Sequence, residues 1–314
     1  MKQRKLGNSG LQVSLTGLGC NNFGWHIDLE GSRQVIHKAL DLGITLFDTA
    51  DVYGERGGSE THIGQILGDR RKDIVLVTKC GLPMDDVGVK KGASRRYILS
   101  AIEASLKRLK TDWIDVYFIH WFDPLTPVEE TMRTLDDLVR QGKVRYIGCS
   151  NYPAWRVVEA QLTARQLGTH PFISCQDHYN LLVRDIDRDL LPAMQEYGLG
   201  LMPAFPLASG ALTGKYKRNA PMPAGARLTT TKRLADRYFS DAQWTKIEGL
   251  EKFCAERGHS MVELAISWLA ARPQVSSIIA GATKPEQLDM NVKAADWALT
   301  PDDMAEIDRI TAPA

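Results

Sequence analysis

The stretch Leu46-Phe47-Asp48-Thr49-Ala50-Asp51-Val52-Tyr53-Gly54 decides how the rest of the chain is interpreted. An apolar run ends in the carboxylate of Asp48, and Tyr53 follows five positions later. Two later apolar runs end in the same way, one at Lys79 and one at His120. In a parallel α/β barrel the carboxyl ends of the strands meet at one rim, where the active site lies. We therefore expect these four side chains to converge on one mouth.

Strand-like apolar runs alternate with helical patterns along the chain. The predicted strands are 15–20, 44–48, 74–79, 116–120, 144–149, 172–175, 200–202 and 276–280. Their end markers at 48, 79, 120, 150, 176 and 203 are spaced by about one βα unit of ~30 residues. Predicted helices include 32–42, one that opens at Ser59, one capped by Ser94, and 128–140.

These patterns predict a single α/β domain over 1–314, built as a (β/α)8 TIM barrel. The Gly/Asn turn at 7–10 adds an N-terminal hairpin. The long step from 203 to 280 predicts an inserted loop after strand 7, with a helix at 241–256. An open doubly wound sheet is the alternative. No Gly-x-Gly-x-x-Gly motif follows the first strand, and this argues against an open sheet of the dinucleotide-binding type.

Composition excludes several classes of protein. The chain has 314 residues, of which 44% are hydrophobic and 25% charged, and its net charge is +1. This balance argues against a nucleic-acid partner. The five cysteines are scattered, which argues against a disulfide framework or a zinc site, and no metal is expected. No signal peptide or membrane-spanning run of ~20 apolar residues is evident, so we expect a cytoplasmic protein without a membrane partner.

The four groups at the strand ends suit reduction of a carbonyl. A free tyrosine has a pKa of about 10, and a nearby lysine ammonium should lower that value for Tyr53. Asp48 would hold Lys79 in place, and His120 would orient the carbonyl oxygen. Each residue alone has an ordinary explanation as a cap, an ion pair or core packing, but their joint appearance at successive strand ends favours a site. Schiff-base chemistry at Lys79 is the alternative from another enzyme class.

The run 47–54, with Lys79 and His120, resembles the aldo-keto reductase superfamily. Further stretches resemble motifs of that family in the same order: Gly148-Cys149-Ser150-Asn151, Gln176-Asp177-His178-Tyr179-Asn180, Pro206-Leu207-Ala208-Ser209-Gly210, Leu212-Thr213-Gly214-Lys215-Tyr216, and Gly281-Ala282-Thr283-Lys284-Pro285-Glu286-Gln287 with Asn291. The similarity covers essentially the whole chain. The loop pattern is similar to the bacterial branch that includes relatives of potassium-channel β subunits.

The resemblance implies an NADPH-dependent oxidoreductase that reduces aldehydes or ketones. Asp48, Tyr53, Lys79 and His120 would form the catalytic set, with Tyr53 as the proton donor. The cofactor-binding residues implied are Ser150, Asn151, Gln176, Phe205, Pro206, Leu207, Ser209, Leu212, Lys215, Gly281, Thr283, Lys284, Gln287 and Asn291. Ser150, Asn151 and Gln176 would hold the carboxamide of the nicotinamide. Lys284 and the N-terminus of the helix near Pro285 would hold the 2′-phosphate of NADP(H).

One position departs from the family pattern. Ala204 stands where the resemblance leads us to expect an aromatic residue against the nicotinamide, so either Phe205 supplies the ring or that face is less supported. Trp25, Trp121 and Phe122 are expected to line the substrate pocket for a small carbonyl compound. The alternative function is an NADPH-binding redox-sensing or regulatory subunit with little turnover. The substrate, the direction of the reaction and the choice between monomer and homo-oligomer stay open.

Overall fold

The computed structural model describes residues 1–312, and these form ten β-strands and twelve α-helices. The strands are β1 (Gln3–Lys5), β2 (Gln12–Ser14), β3 (Thr16–Gly19), β4 (Leu46–Asp48), β5 (Val75–Cys80), β6 (Ile114–Ile119), β7 (Val144–Ser150), β8 (Phe172–His178), β9 (Gly200–Ala204) and β10 (Ile278–Gly281). The helices are α1 (Leu29–Asp41), α2 (Tyr53–Ile66), α3 (Arg95–Leu109), α4 (Val128–Arg140), α5 (Ala154–Leu167), α6 (Leu190–Tyr197), α7 (Arg227–Thr230), α8 (Lys232–Tyr238), α9 (Asp241–Arg257), α10 (Met261–Ala271), α11 (Pro285–Ala294) and α12 (Pro301–Thr311).

Strands β3 to β10 form one parallel sheet in the order β10-β3-β4-β5-β6-β7-β8-β9. The two edges meet at Leu201 on β9. Its N–H donates to the carbonyl of Gln274 at 2.7 Å, and its carbonyl accepts from the N–H of Ser276 at 2.8 Å. The sheet therefore curls into a nearly closed barrel with helices outside, and the predicted (β/α)8 fold is confirmed.

Two apolar cores explain why the strands are apolar without interruption. On β6, Val116 and Phe118 belong to the cluster inside the barrel, whereas Tyr117 and Ile119 belong to the layer beneath the helices. Alternate side chains thus enter different cores, as a strand with both faces covered requires. Leu6 and Val13 of the predicted N-terminal hairpin join the inner cluster and are fully buried.

Several boundaries differ from the sequence prediction. Helix α1 begins at Leu29 rather than residue 32, because the Asp28 side chain accepts a hydrogen bond from the N–H of Gly31 and caps the helix earlier. Strands β8 and β9 are longer than predicted, because they stay paired as far as His178 and Ala204. Helices α5, α6, α10 and α12 were not predicted at all, whereas the predicted bounds of α4 are confirmed.

The predicted insertion after the seventh barrel strand lies between β9 and β10. It contains a 3-10 helix at Ala208–Thr213 and helices α7 to α10. The hydroxyl of Tyr238, at the end of α8, hydrogen-bonds with Nε2 of His178 at 2.9 Å. This contact ties the insertion to the carboxyl end of β8, on the rim where the site residues lie. Within residues 1–312, each helix is too short or too polar to cross a bilayer.

Candidate active site

A buried ion pair lies at the centre of the rim. Lys79 of β5 is fully buried, and its Nζ donates to Oδ1 of Asp48 and to the carbonyl oxygen of Thr49, both at 2.8 Å. Asp48 ends β4 and also accepts from Nε2 of Gln176 at 2.9 Å. Burial by itself disfavours the ammonium, but Asp48 and Tyr53 outweigh it and raise the pKa of Lys79. Lys79 is therefore a fixed positive charge at neutral pH.

Tyr53 follows β4 across a short loop and lies over this pair. Its ring centroid is 5.1 Å from Nζ of Lys79. Residues 54–57 all have positive φ, so the regular part of α2 starts only after Gly57. At Gly54 a Cβ would lie 2.4 Å from the carbonyl oxygen of Phe23, so glycine alone fits there. This turn brings the tyrosine back over the ion pair.

The prediction that the pKa of Tyr53 is lowered is wrong. Burial of the side chain raises its pKa, and the opposing effect of Lys79 is smaller. Lys79 therefore limits the rise and does not bring the pKa below its ordinary value. As a result, Tyr53 carries its proton throughout the neutral range.

His120 stands at the end of β6, next to Tyr53. The two rings meet edge to face with centroids 5.6 Å apart. Burial, and then the charge of Lys79, lower the pKa of His120 well below its usual value. Its Nδ1 is buried and makes no hydrogen bond within residues 1–312. The ring is thus a neutral imidazole, which can donate one hydrogen bond and accept another.

Asp51, in the stretch that organises the chain, is a buried acid that sequence reasoning left without a role. It is 1% exposed, and its Oδ1 makes no hydrogen bond in the described part of the chain. Its Oδ2 accepts from the Tyr97 hydroxyl at 3.3 Å. Burial, and then the nearby Glu60 carboxylate, raise the pKa of Asp51 to about 7. It packs behind the rim, where its backbone N–H donates to the carbonyl of Lys79 at 3.0 Å.

Ser150, Asn151 and Gln176 lie together on neighbouring strand ends. Ser150 and Gln176 are paired in register across β7 and β8. Asn151 has φ 55°, and its Nδ2 donates to the carbonyl of His120 at 3.0 Å and to Oγ of Ser150 at 2.9 Å. Within residues 1–312, the Oε1 of Gln176 and the hydroxyl hydrogen of Ser150 form no hydrogen bond, so both could serve a ligand. This set can recognise a carboxamide.

The loop after β9 holds the next group of predicted cofactor residues: Phe205, Pro206, Leu207, Ser209, Leu212 and Lys215. Phe205 has φ 55°, is 40% exposed, and its carbonyl accepts from Nδ2 of Asn180 at 2.9 Å. A positive φ at a bulky residue is strained and is typical of binding sites. The carbonyl of Leu207 accepts from the N–H groups of Gly210 and Leu212. The hydroxyl of Ser209 is buried without a partner within residues 1–312.

The start of α11, where the phosphate site is predicted, is partly capped by the chain itself. Oε1 of Gln287 accepts from the backbone N–H of Thr283 at 2.7 Å and from that of Lys284 at 3.2 Å. The free N–H groups expected at this helix start are thus largely satisfied. Gly281 precedes them at the end of β10, and the Lys284 side chain is exposed. Asn291 is 4% exposed, and its amide bonds with no other described residue.

The three aromatic residues predicted for the substrate pocket make no ring contact with one another within residues 1–312. Trp25 is 59% exposed and stacks on His26, and Trp121 is 55% exposed beside His120. Phe122 packs instead against Tyr152, with ring centroids 5.4 Å apart. The indoles of Trp25 and Trp121 are thus exposed, whereas the ring of Phe122 packs against Tyr152 just before α5.

Arg227 is a candidate that sequence reasoning missed. It starts α7 in the insertion, and its charge helps to lower the pKa of His26, second to burial. Burial lowers the pKa of Arg227, and within residues 1–312 no carboxylate pairs with it. An unpaired, half-buried guanidinium beside the mouth suits an anion. The Gly- and Pro-rich composition of its segment gave no periodic signal that could have identified it.

The donor set fits a nicotinamide dinucleotide better than a metal. The described residues contain no group of three or more His, Cys, Asp or Glu that could hold a metal ion. Within residues 1–312, the buried hydroxyl of Ser209 has no hydrogen-bond partner, so it is a polar group that a ligand would satisfy. It lies on a segment predicted to hold the phosphates.

Comparison with known proteins agrees with this geometry. The model of the aldo/keto reductase family matches residues 16–312. The chain is 39% identical to the "Probable voltage-gated potassium channel subunit beta" of Oryza sativa subsp. japonica, over 99% of this chain and 96% of that protein. It is 35% identical to the L-glyceraldehyde 3-phosphate reductase of Escherichia coli K12, over 98% and 92%, and 34% identical to the versiconal hemiacetal acetate reductase of Aspergillus parasiticus, over 100% and 98%. The chain therefore belongs to the aldo/keto reductase family, whose members are oxidoreductases of carbonyl compounds.

Proposed function

We propose that this protein reduces an aldehyde or ketone to an alcohol with NADPH, and that Tyr53 donates the proton. The observation that carries the proposal is the fully buried Lys79, held by Asp48 and Thr49 beneath the ring of Tyr53. A buried ion pair of this kind adds little to stability, which makes a catalytic role the better explanation.

The proton transfer is supported by the charge of Lys79. Tyr53 is protonated at neutral pH because its pKa is raised. When the phenol gives its proton to the carbonyl oxygen, the phenolate that remains is stabilised by the ammonium of Lys79, whose Nζ lies 5.1 Å from the centre of the Tyr53 ring. Asp48 keeps the ammonium in place during the transfer. Lys79 thus stabilises the negative charge that appears on Tyr53 after the proton has been transferred.

His120 would position the substrate. As a neutral imidazole next to Tyr53, it can donate a hydrogen bond to the same carbonyl oxygen. Ser150, Asn151 and Gln176 would hold the carboxamide of the cofactor on the neighbouring strand ends. The reduced nicotinamide supplies the hydride when it is bound.

Preference for NADPH is supported by cations that have no partner in the described chain. Lys284 on α11 and Lys215 after the 3-10 helix are exposed and form no ion pair within residues 1–312. Arg227 is a third such cation. The 2′-phosphate and the pyrophosphate of NADPH carry negative charges that could pair with these three cations.

The substrate is proposed only as a class. The exposed indoles of Trp25 and Trp121 would contact an aldehyde or ketone with an apolar part. Because relatives at 34–35% identity are named for an aldehyde phosphate and for a hemiacetal acetate, both polar and apolar carbonyl compounds belong in the first panel.

A redox-sensing or regulatory subunit is the second candidate. It is favoured by the similarity to proteins named as probable channel β subunits, at 39% and 38% identity. The assembled catalytic set favours turnover. Slow release of the cofactor, with negligible oxidation of NADPH over a broad carbonyl panel, would instead favour the sensor.

Substitution of Tyr53 by Phe tests the proposal. We expect Tyr53→Phe to fold, to bind NADPH normally by fluorescence titration, and to lose about 100- to 10,000-fold in turnover. Tyr197→Phe is the matched control, because Tyr197 lies at the end of α6, on the far side of the barrel from the strand ends. A Tyr53→Phe enzyme with near-normal rates would remove Tyr53 as the proton donor.

Two further proposals concern the whole chain. We propose that 1–314 form one domain, which is supported by a barrel whose strands extend from residue 16 to residue 281. A cytoplasmic location is supported by five cysteines that are all free.

A further inference from the structure

A second pocket lies outside the barrel, next to the rim. It is an open cavity of about 370 Å³ between the start of α5 and the start of α6. Its lining combines aromatic, aliphatic and acidic side chains: Tyr152, Trp155, Asp177, Asp185, Ile186 and Asp189. None of the catalytic residues contributes to it.

Asp177 is the unusual member of this lining. Successive side chains of a strand point to opposite faces, so Asp177 points away from the barrel interior, whereas Gln176 reaches Asp48 inside it. Asp177 is 8% exposed. Within residues 1–312 no cation pairs with its carboxylate, and the backbone N–H of Asn151 is the one group that stabilises its charge.

A buried carboxylate without a counter-ion is costly, because aspartate is almost never buried unless it is paired. Burial raises the pKa of Asp177 to about 8, against the smaller effect of Asn151. The nearby arginines do not neutralise it, since Arg156 pairs with Glu159 and Arg188 pairs with Asp189. Asp177 therefore lines the pocket mostly protonated at neutral pH, and no cation of the described chain favours its ionised form.

The rest of the lining indicates the chemistry of the ligand. Asp185 and Asp189 are exposed at the pocket, and within residues 1–312 Asp185 has no cation partner whereas Asp189 pairs with Arg188, so the polar side keeps an acidic group at Asp185. The opposite side is apolar, with Ile186 and the rings of Tyr152 and Trp155. A metal ion does not fit, because no three acidic side chains of the described chain are close enough to coordinate one. A larger cation with an apolar body satisfies both sides.

We propose that this pocket binds an organic ammonium compound, whose charged nitrogen lies at Asp177 and whose apolar part packs on Trp155 and Ile186. This site is distinct from the carbonyl site, and the inference does not depend on the proposed reductase activity. Because Asn151 contacts Asp177 from the rim, the cation site adjoins the end of the site proposed for the nicotinamide.

Calorimetric titration of the full chain with benzylammonium chloride tests the proposal. Benzamide, which has the same ring without the charge, is the control ligand. Above a pH of about 8, where Asp177 is ionised, we expect saturable binding of one benzylammonium per chain and much weaker binding of benzamide. Below that pH, binding should release a proton from Asp177, and this release is measured by repeating the titration in buffers of different ionisation enthalpy.

Variants locate the site. Asp177→Asn should weaken benzylammonium binding about tenfold or more, because it removes a charge-assisted hydrogen bond. Asp185→Asn, at an exposed position whose side chain forms no hydrogen bond or ion pair within residues 1–312, should fold and should weaken binding by a smaller factor. Asp112→Asn is the matched control, since Asp112 is exposed in the turn before β6, at the other end of the barrel.

Three results would overturn the proposal. The first is no saturable binding of benzylammonium to the wild-type chain. The second is equal affinity in the wild type and in folded Asp177→Asn, or in Asp185→Asn if the first variant does not fold. The third is equal affinity for benzamide.

Discussion

The rim that we propose to be catalytic and the segments that we propose to bind the cofactor phosphates are built in opposite ways. At the rim the charged groups already have partners from the chain, since Lys79 makes two hydrogen bonds and Asp48 accepts from both Lys79 and Gln176. On the phosphate-binding segments Lys215 and Lys284 are exposed and unpaired within residues 1–312. The comparison teaches that the rim charges are paired by folding itself, whereas the two lysines keep charges that a bound anion could still satisfy.

The two regions therefore have different energetic costs. Burying Lys79 and Asp48 removes two charges from water, and the packed barrel must offset that cost. The exposed lysines lose little hydration on folding, so they can be changed with little effect on stability. Substitutions at the rim should affect both stability and turnover, whereas substitutions in the phosphate segments should affect mainly cofactor binding.

The largest effect on stability is expected when the buried pair is broken. Asp48→Asn leaves the Lys79 ammonium buried without its counter-charge, and the free energy of unfolding should fall by about 3–5 kcal/mol. Removal of both charges in Asp48→Asn/Lys79→Met should recover part of this loss while turnover stays abolished. Urea denaturation and the rate of NADPH oxidation measure the two effects.

A surface pair provides the control for that experiment. Glu129→Gln removes the partner of Arg133, an exposed ion pair on α4, and should change stability by less than about 1 kcal/mol. If Asp48→Asn were no more destabilising than Glu129→Gln, the rim would not be the pre-formed, desolvated site described above.

Asp51 sharpens the comparison, because it is a buried acid behind the rim that no cation of the described chain pairs with. Its pKa is raised from 3.8 to about 7 in the folded protein, so between these values the folded state holds a proton that the unfolded state has lost. The free energy of unfolding therefore falls as the pH rises from about 4 to about 7 because of Asp51, and this loss persists at higher pH. Asp51→Asn should be more stable than the wild type at pH 8, by up to about 4 kcal/mol, with the advantage vanishing near pH 4.

Thermal or urea unfolding across the pH range measures that difference. Asp112→Asn, at an exposed position, should show no such dependence on pH. A constant difference between Asp51→Asn and the wild type at all pH values would mean that Asp51 does not titrate in the window given.

A smaller and more selective effect is expected at Lys284. Lys284→Ala should weaken NADPH binding by about tenfold and leave NADH binding nearly unchanged, because only NADPH carries the 2′-phosphate. Lys293→Ala, an exposed lysine on the same helix, is the control. Equal losses for both cofactors in fluorescence titration would mean that Lys284 does not read that phosphate.

The smallest effect is expected at Gln287. Its side chain caps the N–H groups of Thr283 and Lys284, so Gln287→Ala should lower the free energy of unfolding by about 1 kcal/mol. An unchanged stability in urea denaturation would show that these two hydrogen bonds do not stabilise the start of α11. The start of α11 would then depend even less on hydrogen bonds within the chain than proposed above.

The barrel and its central ion pair were predictable from sequence. Apolar runs that end in Asp48, Lys79 and His120 reveal both the strands and the rim, because buried strands admit few charged side chains. The extension of β8 to His178 was not predictable, since its last residues are polar and pair only because β9 lies beside them. The direction of the Tyr53 pKa was also missed, because burial depends on the folded surroundings and not on which residues are present.

Arg227 and Asp177 illustrate a different limit. Arg227 lies 179 positions after Asp48 in the chain (227 − 48), and nothing in the sequence around it indicates that it would lie near the mouth. Asp177 falls inside a motif whose neighbours Gln176 and Asn180 had expected roles, and only the tertiary structure shows that its charge faces a separate pocket. The positions of these two side chains depend on contacts between distant segments, and a periodic sequence pattern does not reveal such contacts.

The most direct test of the central claim is a single-turnover measurement on the wild-type protein. NADPH-loaded protein is mixed rapidly with benzaldehyde, and the absorbance of the reduced nicotinamide is followed at neutral pH. A pre-formed catalytic rim predicts loss of that absorbance in one exponential phase, with benzyl alcohol as the product. A cofactor that stays bound and reduced, with this aldehyde and with every other member of the carbonyl panel, would contradict the account.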